Sequence, residues 1–302
     1  MNDNTDFEVI ILGGSYAGLS AAMALGRSLR KVLIIDSELP CNWQTPYSHN
    51  FITHDGEKPY EILEKAKAEV LEYDTVYFLN DTAVSGKKIE NRFVISTQSG
   101  KELHGQKLIF ATGITDIMPE LKGFAECWGI SVVHCPYCHG YEFRAKRTGI
   151  LANGTRGFHL ASLVNNLTDK LTLLTGDKPD FSDEQKLKLK QREVAIVQTP
   201  LVEIQHKKGL LNKVVFSDGS SKGFDVLYAA LPFRQHSDIP ASLGCELSEI
   251  GHIKVGQFQE TTVHGVYACG DSSNMMRSVA LAVSTGNVAG AVVNSKLVEE
   301  NF

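Results

Sequence analysis

Two glycine-rich turns, each between a predicted strand and a predicted helix, constrain the fold of this chain more than any other feature. In the first unit, Phe7–Leu12 is a continuous apolar run typical of a buried strand, residues 13–18 read Gly-Gly-Ser-Tyr-Ala-Gly, and an apolar helix follows. The next strand ends at Asp36. The same order returns near Thr148, with its second strand at Lys170–Leu174. Because strand–helix–strand units build parallel sheets, the sequence predicts two nucleotide-type folds.

Short β-rich segments follow each of these units. Val76–Ala111 alternates strand-like segments with turns, which predicts a small antiparallel meander and a return strand over Lys107–Ala111; residues 194–230 repeat this pattern. Gly265–Asp271 is predicted to contain another buried strand, and a helix of small residues is predicted from about Val279 to Glu299. We therefore predict an α/β fold of two three-layer (ββα) dinucleotide-binding domains, the second inserted in the first.

Length, composition and charge exclude several classes of protein. The chain has 302 residues, 43% hydrophobic and 22% charged, which is enough for two domains with cores of their own. Thirty Lys and Arg against 35 Asp and Glu give a net charge of -5 without a long single-sign block, so no nucleic-acid partner is expected. The most apolar long stretch, Ser278–Val293, is broken by polar residues, and the acidic N-terminus does not resemble a signal peptide. We expect a cytoplasmic protein without a membrane span.

The first glycine turn has the residue types that a bound dinucleotide requires. Gly13, Ser15 and Gly18 occupy the three fingerprint positions, with Ala17 beside the last of them. A tight turn of small residues lets the backbone approach a pyrophosphate and leaves the helix N–H groups exposed to it. Asp36 follows about 20 residues on, where an acid accepts a hydrogen bond from a ribose hydroxyl. Taken alone, the motif also fits a strand–helix turn that binds nothing.

A Cys-x-x-Cys pair concentrates the chemistry of the chain. In Cys135-Pro136-Tyr137-Cys138-His139-Gly140, the two cysteines are close enough to form a redox-active disulfide, and His139 can take or return a proton. Half of a zinc site and a simply packed pair are the alternatives. The remaining cysteines stand alone in the sequence, which gives a zinc ion no second ligand pair, so no metal site is predicted.

The order of these motifs resembles that of low-molecular-weight thioredoxin reductases over essentially the whole chain. The order is Gly-x-Ser-x-x-Gly, an Ala-Thr-Gly segment at 111–113, the cysteine pair, and a terminal Gly-Asp at 270–271. The resemblance implies FAD as the cofactor and a homodimer. It also implies a discontinuous FAD-binding domain at 1–114 and 245–302, and an inserted NAD(P)-type domain at 115–244 that carries the cysteine pair.

The resemblance further implies individual roles. Cys138 would face the flavin and Cys135 would attack the substrate disulfide, while Asp271 would bind the ribityl chain and residues 277–279 would direct a helix N-terminus toward the flavin ring. Besides the first turn and Asp36, the implied FAD-binding residues are Asn42, Gln44, Thr45, Asn50, Val84, Ala111, Thr112, Gly113, Gly270, Asp271, Arg277, Ser278 and Val279.

Two departures from the family pattern leave the electron donor and the substrate open. His139 replaces the usual Asp, which is similar to a branch that includes dithiol oxidases of disulfide-containing natural products. The second turn keeps Gly154 and Gly157 but lacks the usual arginines after the next strand, where Asp177 would repel a 2′-phosphate and could accept a bond from a ribose hydroxyl. NADH, NADPH held by other cations, and weak nicotinamide binding all fit this pattern.

We therefore predict an FAD-dependent pyridine nucleotide-disulfide oxidoreductase of the thioredoxin reductase-like type. Electrons would pass through FAD and the Cys135–Cys138 disulfide to a thioredoxin-like protein or a small disulfide. The alternatives are a dithiol oxidase that uses oxygen, a reductase fed by a donor other than a nicotinamide, and a redox sensor without turnover.

Overall fold

The computed structural model describes residues 5–302, and the first four residues of the acidic N-terminus lie outside this range. Packing divides the chain into two compact units. The first unit comprises the chain up to Trp43, Asn50–Thr115 and Phe233–Phe302; the second comprises Gln44–His49 and Asp116–Pro232. Residues 233–244, which the sequence-based division places in the inserted domain, pack with the first unit. The functional assignment of the two domains stays a prediction. No helix within 5–302 has the length and hydropathy that a membrane span needs.

The helices and strands alternate along the chain as follows. In order they are β1 (Asp6–Leu12), α1 (Tyr16–Arg27), β2 (Val32–Asp36), α2 (Pro59–Leu71), β3 (Val76–Asn80), β4 (Ala83–Ile89), β5 (Arg92–Thr97), β6 (Glu102–Phe110), β7 (Ile114–Asp116), α3 (Phe124–Cys127), β8 (Val132–Val133), α4 (Pro136–His139), β9 (Thr148–Leu151), α5 (Gly154–Val164), β10 (Leu171–Leu174), α6 (Asp183–Gln191), β11 (Ala195–Val197), β12 (Leu201–Lys207), β13 (Leu210–Phe216), β14 (Ser221–Gly223), β15 (Val226–Ala229), β16 (Phe233–Gln235), α7 (Ile239–Ser242), β17 (Val266–Ala268), a 3-10 turn (Gly270–Ser272) and α8 (Val279–Asn301).

One seven-stranded sheet forms the centre of the first unit, in the order β3-β2-β1-β6-β5-β4, with β17 also paired to β6. β1, β2, β3, β17 and the second half of β6 are parallel, whereas β5 is antiparallel to the first half of β6. The predicted antiparallel meander over Val76–Ala111 is therefore wrong at β3, and its predicted return strand is present as part of a longer strand. β3 extends the parallel sheet, and the predicted return strand is the end of the nine-residue β6, which is long enough to serve both ladders.

Both faces of the central sheet are covered, and the second half of its central strand β1 is apolar at every position. In β1, Val9 and Ile11 point to one face and Ile10 and Leu12 to the other, and all four are buried. On the first face α1 and α8 pack against each other at close range. A Cβ on Gly286 of α8 would overlap the carbonyl of Ala17 in α1. Small residues in the predicted C-terminal helix thus allow two backbones to approach.

The second unit has three layers. Its parallel sheet runs β11-β10-β9-β15-β8, with α5 and α6 packed on one face and the antiparallel β12-β13-β14 sheet on the other. The segment at 195–197, predicted within the second antiparallel set, instead pairs parallel to β10. The two nucleotide-type α/β folds predicted from the glycine turns are confirmed.

We expect Gly286→Ala to lower the midpoint of thermal unfolding, since the added methyl forces α1 and α8 apart at a cost of about 1–3 kcal/mol. Gly256→Ala is the matched control, because Gly256 is exposed and the nearest atom to its Cβ position, the carbonyl oxygen of Glu260, is 3.9 Å away. Differential scanning calorimetry of the two variants checks this. Equal midpoints would mean that the helix crossing does not limit stability.

Candidate active site

The first glycine turn is shaped by close backbone approaches. Gly13 has φ +104°, and the carbonyl of Ala111 at the end of β6 occupies the place that its side chain would need. A Cβ on Gly18 would overlap the carbonyl of Gly13. Only glycine fits at either position: Gly13 needs both the left-handed conformation and the missing side chain, and Gly18 needs the missing side chain. Packing by itself therefore requires glycine at two of the three fingerprint positions.

The start of α1 is suited to an anion. Ser15 is the N-cap residue in an extended conformation, and within residues 5–302 its side chain makes no capping hydrogen bond. Helix N–H groups that no side chain caps offer hydrogen bonds and positive partial charge. Ala17, in the first turn, is buried where α8 packs. The serine that departs from the fingerprint therefore leaves the pyrophosphate position available.

Asp36 lies at the end of β2 beside this turn. Its carboxylate accepts hydrogen bonds from the N–H groups of Gly14 and Glu38, the latter at 2.6 Å. These bonds fix the side chain of Asp36 against the turn, where a ribose hydroxyl would follow the pyrophosphate. The geometry agrees with the predicted role, which stays a prediction.

The Ala-Thr-Gly segment follows β6 at the same edge of the sheet. Ala111 donates its N–H to the carbonyl of Leu12 at 2.8 Å, which joins the segment to the first turn. The hydroxyl oxygen of Thr112 is buried and has no hydrogen-bond partner among the described residues. Gly113 has φ +67° and open space around its Cβ position. A buried polar atom without a partner beside open space is what a bound ligand would satisfy.

The Gly-Asp segment completes this edge. Gly270, with φ +72°, donates its N–H to the Thr285 hydroxyl at 3.0 Å, and Asp271 lies 3.4 Å from the guanidinium of Arg277. The Ser278 hydroxyl caps α8 by accepting the N–H of Leu281 at 3.1 Å, so the 23-residue helix begins at Val279. Because β1, β6 and β17 are parallel neighbours, the first glycine turn, the Ala-Thr-Gly segment and the Gly-Asp segment meet at one end of the sheet. Their residues fit FAD, because a dinucleotide binds at this end of a parallel sheet.

The other predicted FAD-binding residues are spread more widely. Asn42 is hydrogen-bonded to the side chain of Tyr16 at the start of α1, and Asn50 donates its N–H to Asp55 at 2.7 Å. Val84 is 55% exposed on β4. Gln44 and Thr45 belong to the second unit, where both lie within 4 Å of the Cβ position of Gly129. The roles predicted for these five residues stay predictions.

The cysteine pair lies in the second unit and forms a disulfide. Cys135 is the N-cap residue of α4, Pro136 begins the helix, and the Cα atoms of the two cysteines are 5.3 Å apart. The N–H of Cys138 points at the sulfur of Cys135 at 3.2 Å. A hydrogen bond to sulfur stabilises a thiolate, so this geometry favours Cys135 as the sulfur that carries negative charge after the disulfide opens.

His139 closes the same short helix. Its burial and the neighbouring His49 lower the pKa of His139 to about 4, so the ring is neutral at physiological pH. His49 Nδ1 in turn lies 3.7 Å from Glu142 Oε1. From the sequence alone, His49 could reach the catalytic region but is more simply a structural histidine. Glu142 was missed, although its spacing of three residues after His139 was an available signal.

The four other cysteines are not part of this site. Cys127, Cys245 and Cys269 are buried, and burial raises the pKa of Cys127 to about 11 and that of Cys269 to about 12. Cys41 is exposed. Among residues 5–302, no three His, Cys, Asp or Glu side chains are grouped to bind a metal ion.

Comparison with known proteins identifies the family. Residues 7–286 match the family model described as pyridine nucleotide-disulphide oxidoreductase. The chain belongs to this family. It is 32% identical to thioredoxin reductase tcpT of Claviceps purpurea, over 99% of this chain and 97% of that protein. Two crystal structures share its fold over nearly their full lengths: an oxidoreductase from Agrobacterium tumefaciens (TM-score 0.91, 34% identity, 97% of this chain and 99% of that one) and a putative thioredoxin reductase TrxB from Bacillus anthracis (TM-score 0.92, 28% identity, 98% and 100%).

The predicted activity class is thereby confirmed. The protein is a thioredoxin reductase-like disulfide oxidoreductase and a flavoprotein, and its FAD-fitting edge and its cysteine pair are the two parts that this chemistry needs.

The second glycine turn differs from the first because a side chain caps the helix that follows it. Asn153 caps α5 by accepting the N–H of Gly154 at 2.8 Å, and the same side-chain oxygen accepts the N–H of Asp180 at 2.9 Å. Its amide nitrogen donates to the carbonyl of Lys178 at 3.0 Å. The segment 178–180 is therefore tied to the helix start that a pyrophosphate would approach.

The acidic side chains of this segment act against phosphate. The Asp177 carboxylate accepts the N–H of Lys178 at 2.6 Å, and the Asp180 carboxylate lies 3.6 Å from the Cβ position of Gly154. Gly157, the second predicted glycine, keeps the turn tight, since a Cβ there would be 3.0 Å from the carbonyl of Ala152. The tight turn is present, but its charge does not favour a 2′-phosphate.

We expect Thr112→Val to weaken FAD binding about 2- to 10-fold, because one hydrogen bond contributes about 0.5–1.5 kcal/mol. The stability of the apoprotein should not fall, because the Thr112 hydroxyl forms no hydrogen bond with any described residue. Thr97→Val is the contrasting control, since the buried Thr97 hydroxyl is bonded to Ser99 and Lys101. That variant should lose stability and keep its FAD affinity. Fluorescence titration of the apoproteins with FAD, together with thermal unfolding, measures both; unchanged FAD affinity in Thr112→Val would remove Thr112 from the site.

Proposed function

We propose that this protein reduces disulfides with electrons from a nicotinamide, passing them through FAD and Cys135–Cys138 to a thioredoxin-like protein or a small disulfide. The disulfide with the N–H of Cys138 aimed at the sulfur of Cys135 is the observation that carries the proposal. FAD, when bound, supplies the two-electron transfer between the nicotinamide and the disulfide. The fit of residues 13–18, Asp36 and Thr112 to a dinucleotide supports this cofactor.

The cysteines then perform thiol–disulfide exchange. Two electrons and two protons convert the Cys135–Cys138 bond into two thiols. The Cys135 thiolate attacks one substrate sulfur, forming a mixed disulfide and releasing the other substrate sulfur as a thiolate that takes up a proton. Cys138 next attacks the Cys135 sulfur, which restores the protein disulfide and releases the second substrate thiol. The N–H of Cys138 stabilises the negative charge on Cys135 whenever that sulfur attacks or leaves.

The donor we propose is NADH. Asp177 would accept hydrogen bonds from a free ribose, and the carboxylates of Asp177 and Asp180 would oppose the 2′-phosphate of NADPH. The partner we propose is a thioredoxin-like protein, because tcpT and TrxB carry the name thioredoxin reductase. We place the enzyme in the cytoplasm as a homodimer, in keeping with the family.

Anaerobic titration tests the donor. We expect NADH to bleach the oxidised-flavin absorbance at least about tenfold faster than NADPH, because two carboxylates repel the extra phosphate. Equal or faster bleaching by NADPH would contradict the assignment of Asp177. Bleaching by a dithiol such as dithiothreitol but by neither nicotinamide would instead identify an oxidase or an enzyme fed by another donor.

The Cys138→Ser variant tests the relay. We expect its turnover of 5,5′-dithiobis(2-nitrobenzoate) to fall at least about a thousandfold, because the protein disulfide can no longer form. Reduction of the flavin by the nicotinamide should be retained. Cys41→Ser is the control, because Cys41 is an exposed cysteine outside the pair and its loss should leave the rate unchanged. Turnover of Cys138→Ser at the parent rate would refute the proposed electron path.

A further inference from the structure

A group of titratable side chains of the second unit lies beside the disulfide. His139 directly follows Cys138 in α4, Glu142 lies in the turn after it, and His49 comes from the separate segment Gln44–His49. Tyr228 on β15 faces Glu142: its phenol is buried, has no hydrogen-bond partner in the described part of the chain, and has its pKa raised by burial and by the Glu142 carboxylate. These two imidazoles, the carboxylate and the phenol therefore interact with one another, and one of the imidazoles directly follows the redox pair.

His139 alone does not hold the proton that the exchange chemistry moves. With a pKa of about 4, only roughly one His139 ring in a thousand is protonated at pH 7. Opening the disulfide takes up two protons, and each attack by a thiolate first requires the loss of one. A neutral His139 can pass a proton along, and a neighbouring titratable group can store it.

His49 has the surroundings of such a store. Its Nδ1 lies 3.7 Å from the Glu142 carboxylate, so an imidazolium at this position has a counter-charge within ion-pair distance. The side chains of His49 and Glu142 are 19% and 37% exposed, which allows exchange of the proton with water. The proximity of His49 also contributes to the low pKa of His139, because a positive charge on one ring disfavours a positive charge on the other.

We propose that His49 and Glu142 are positioning residues that hold the proton of the thiol–disulfide exchange and deliver it through His139. When a thiolate forms, the thiol proton passes to the neutral His139 ring and on to His49, where Glu142 balances the charge. When the protein disulfide is reduced, the same proton returns to sulfur. The inference rests on the proposed exchange chemistry of Cys135 and Cys138 but does not depend on the identity of the electron donor.

The test is the pH dependence of thiol alkylation. FAD-loaded protein carrying Cys41→Ser is reduced with dithiothreitol, freed of it under argon, and reacted with iodoacetamide from pH 5 to 10. We expect His49→Gln to raise the midpoint pH by about one unit and to slow alkylation at pH 6.5 about tenfold, because an imidazolium that favours the thiolate is lost.

Glu142→Gln separates the proposal from a simple effect of charge on sulfur. Removing a negative charge would by itself lower the midpoint, whereas loss of the counter-charge of the His49 imidazolium raises it; we expect the midpoint to rise. Glu142→Asp should restore part of the shift. A midpoint that falls in Glu142→Gln, or midpoints that coincide with the parent in both variants, would overturn the proposal. Because Glu142 is partly exposed, this variant keeps the test valid if His49→Gln does not fold.

A second His–Glu pair provides the matched control. His264 Nδ1 lies 3.3 Å from Glu260 Oε1 in the first unit, and the His264 side chain is 72% exposed. His264→Gln and Glu260→Gln should leave the alkylation midpoint at the parent value. Turnover of 5,5′-dithiobis(2-nitrobenzoate) with NADH is measured on the same samples. Absence of parental turnover would refute the proposed function, while the alkylation midpoints would still decide the roles of His49 and Glu142.

Discussion

The approach of backbone to backbone around the first glycine turn is the constraint on which the first unit depends. The carbonyl of Ala111 fills the space beside Gly13, and the carbonyl of Ala17 fills the space beside Gly286. These contacts join β1, α1, β6 and α8 in a single packed group, so the first glycine turn is held by the core. A side chain at either glycine would disturb the core and the candidate site together, because the same atoms form both.

The features that the sequence predicted are those with local causes. Glycine turns after apolar strands, a small-residue helix and a Cys-x-x-Cys pair each depend on a few neighbouring residues, and all were placed correctly. What was missed depends on pairing over long distances. The length of β6 lets one strand serve a parallel and an antiparallel ladder, and a composition pattern does not choose the partner of β3. Similarly, nothing near residues 44–49 in the sequence indicates that they pack with the second unit.

The candidate site shows the same division. Gly13, Thr112 and Asp271 were identified by motifs whose spacing reflects their chemistry. Glu142 was missed because a single glutamate has no motif, and the relation of His49 to His139 spans 90 positions of the chain. The second turn keeps its glycines, but its hydrogen bonds and charge depend on Asn153 and on the acidic residues after β10. The Asn153 side chain accepts hydrogen bonds from the N–H groups of Gly154 and Asp180. Motifs locate a site well, whereas its electrostatics depend on residues brought in from elsewhere.

The burial of three of the single cysteines has a consequence for specificity. An enzyme that forms and breaks sulfur–sulfur bonds must avoid cross-linking its own thiols to its substrate. Cys127, Cys245 and Cys269 are kept as protonated thiols by their apolar surroundings, while Cys135 has an N–H directed at its sulfur. Differences in local polarity thus distinguish these three buried thiols from the redox pair, although all five side chains are chemically identical.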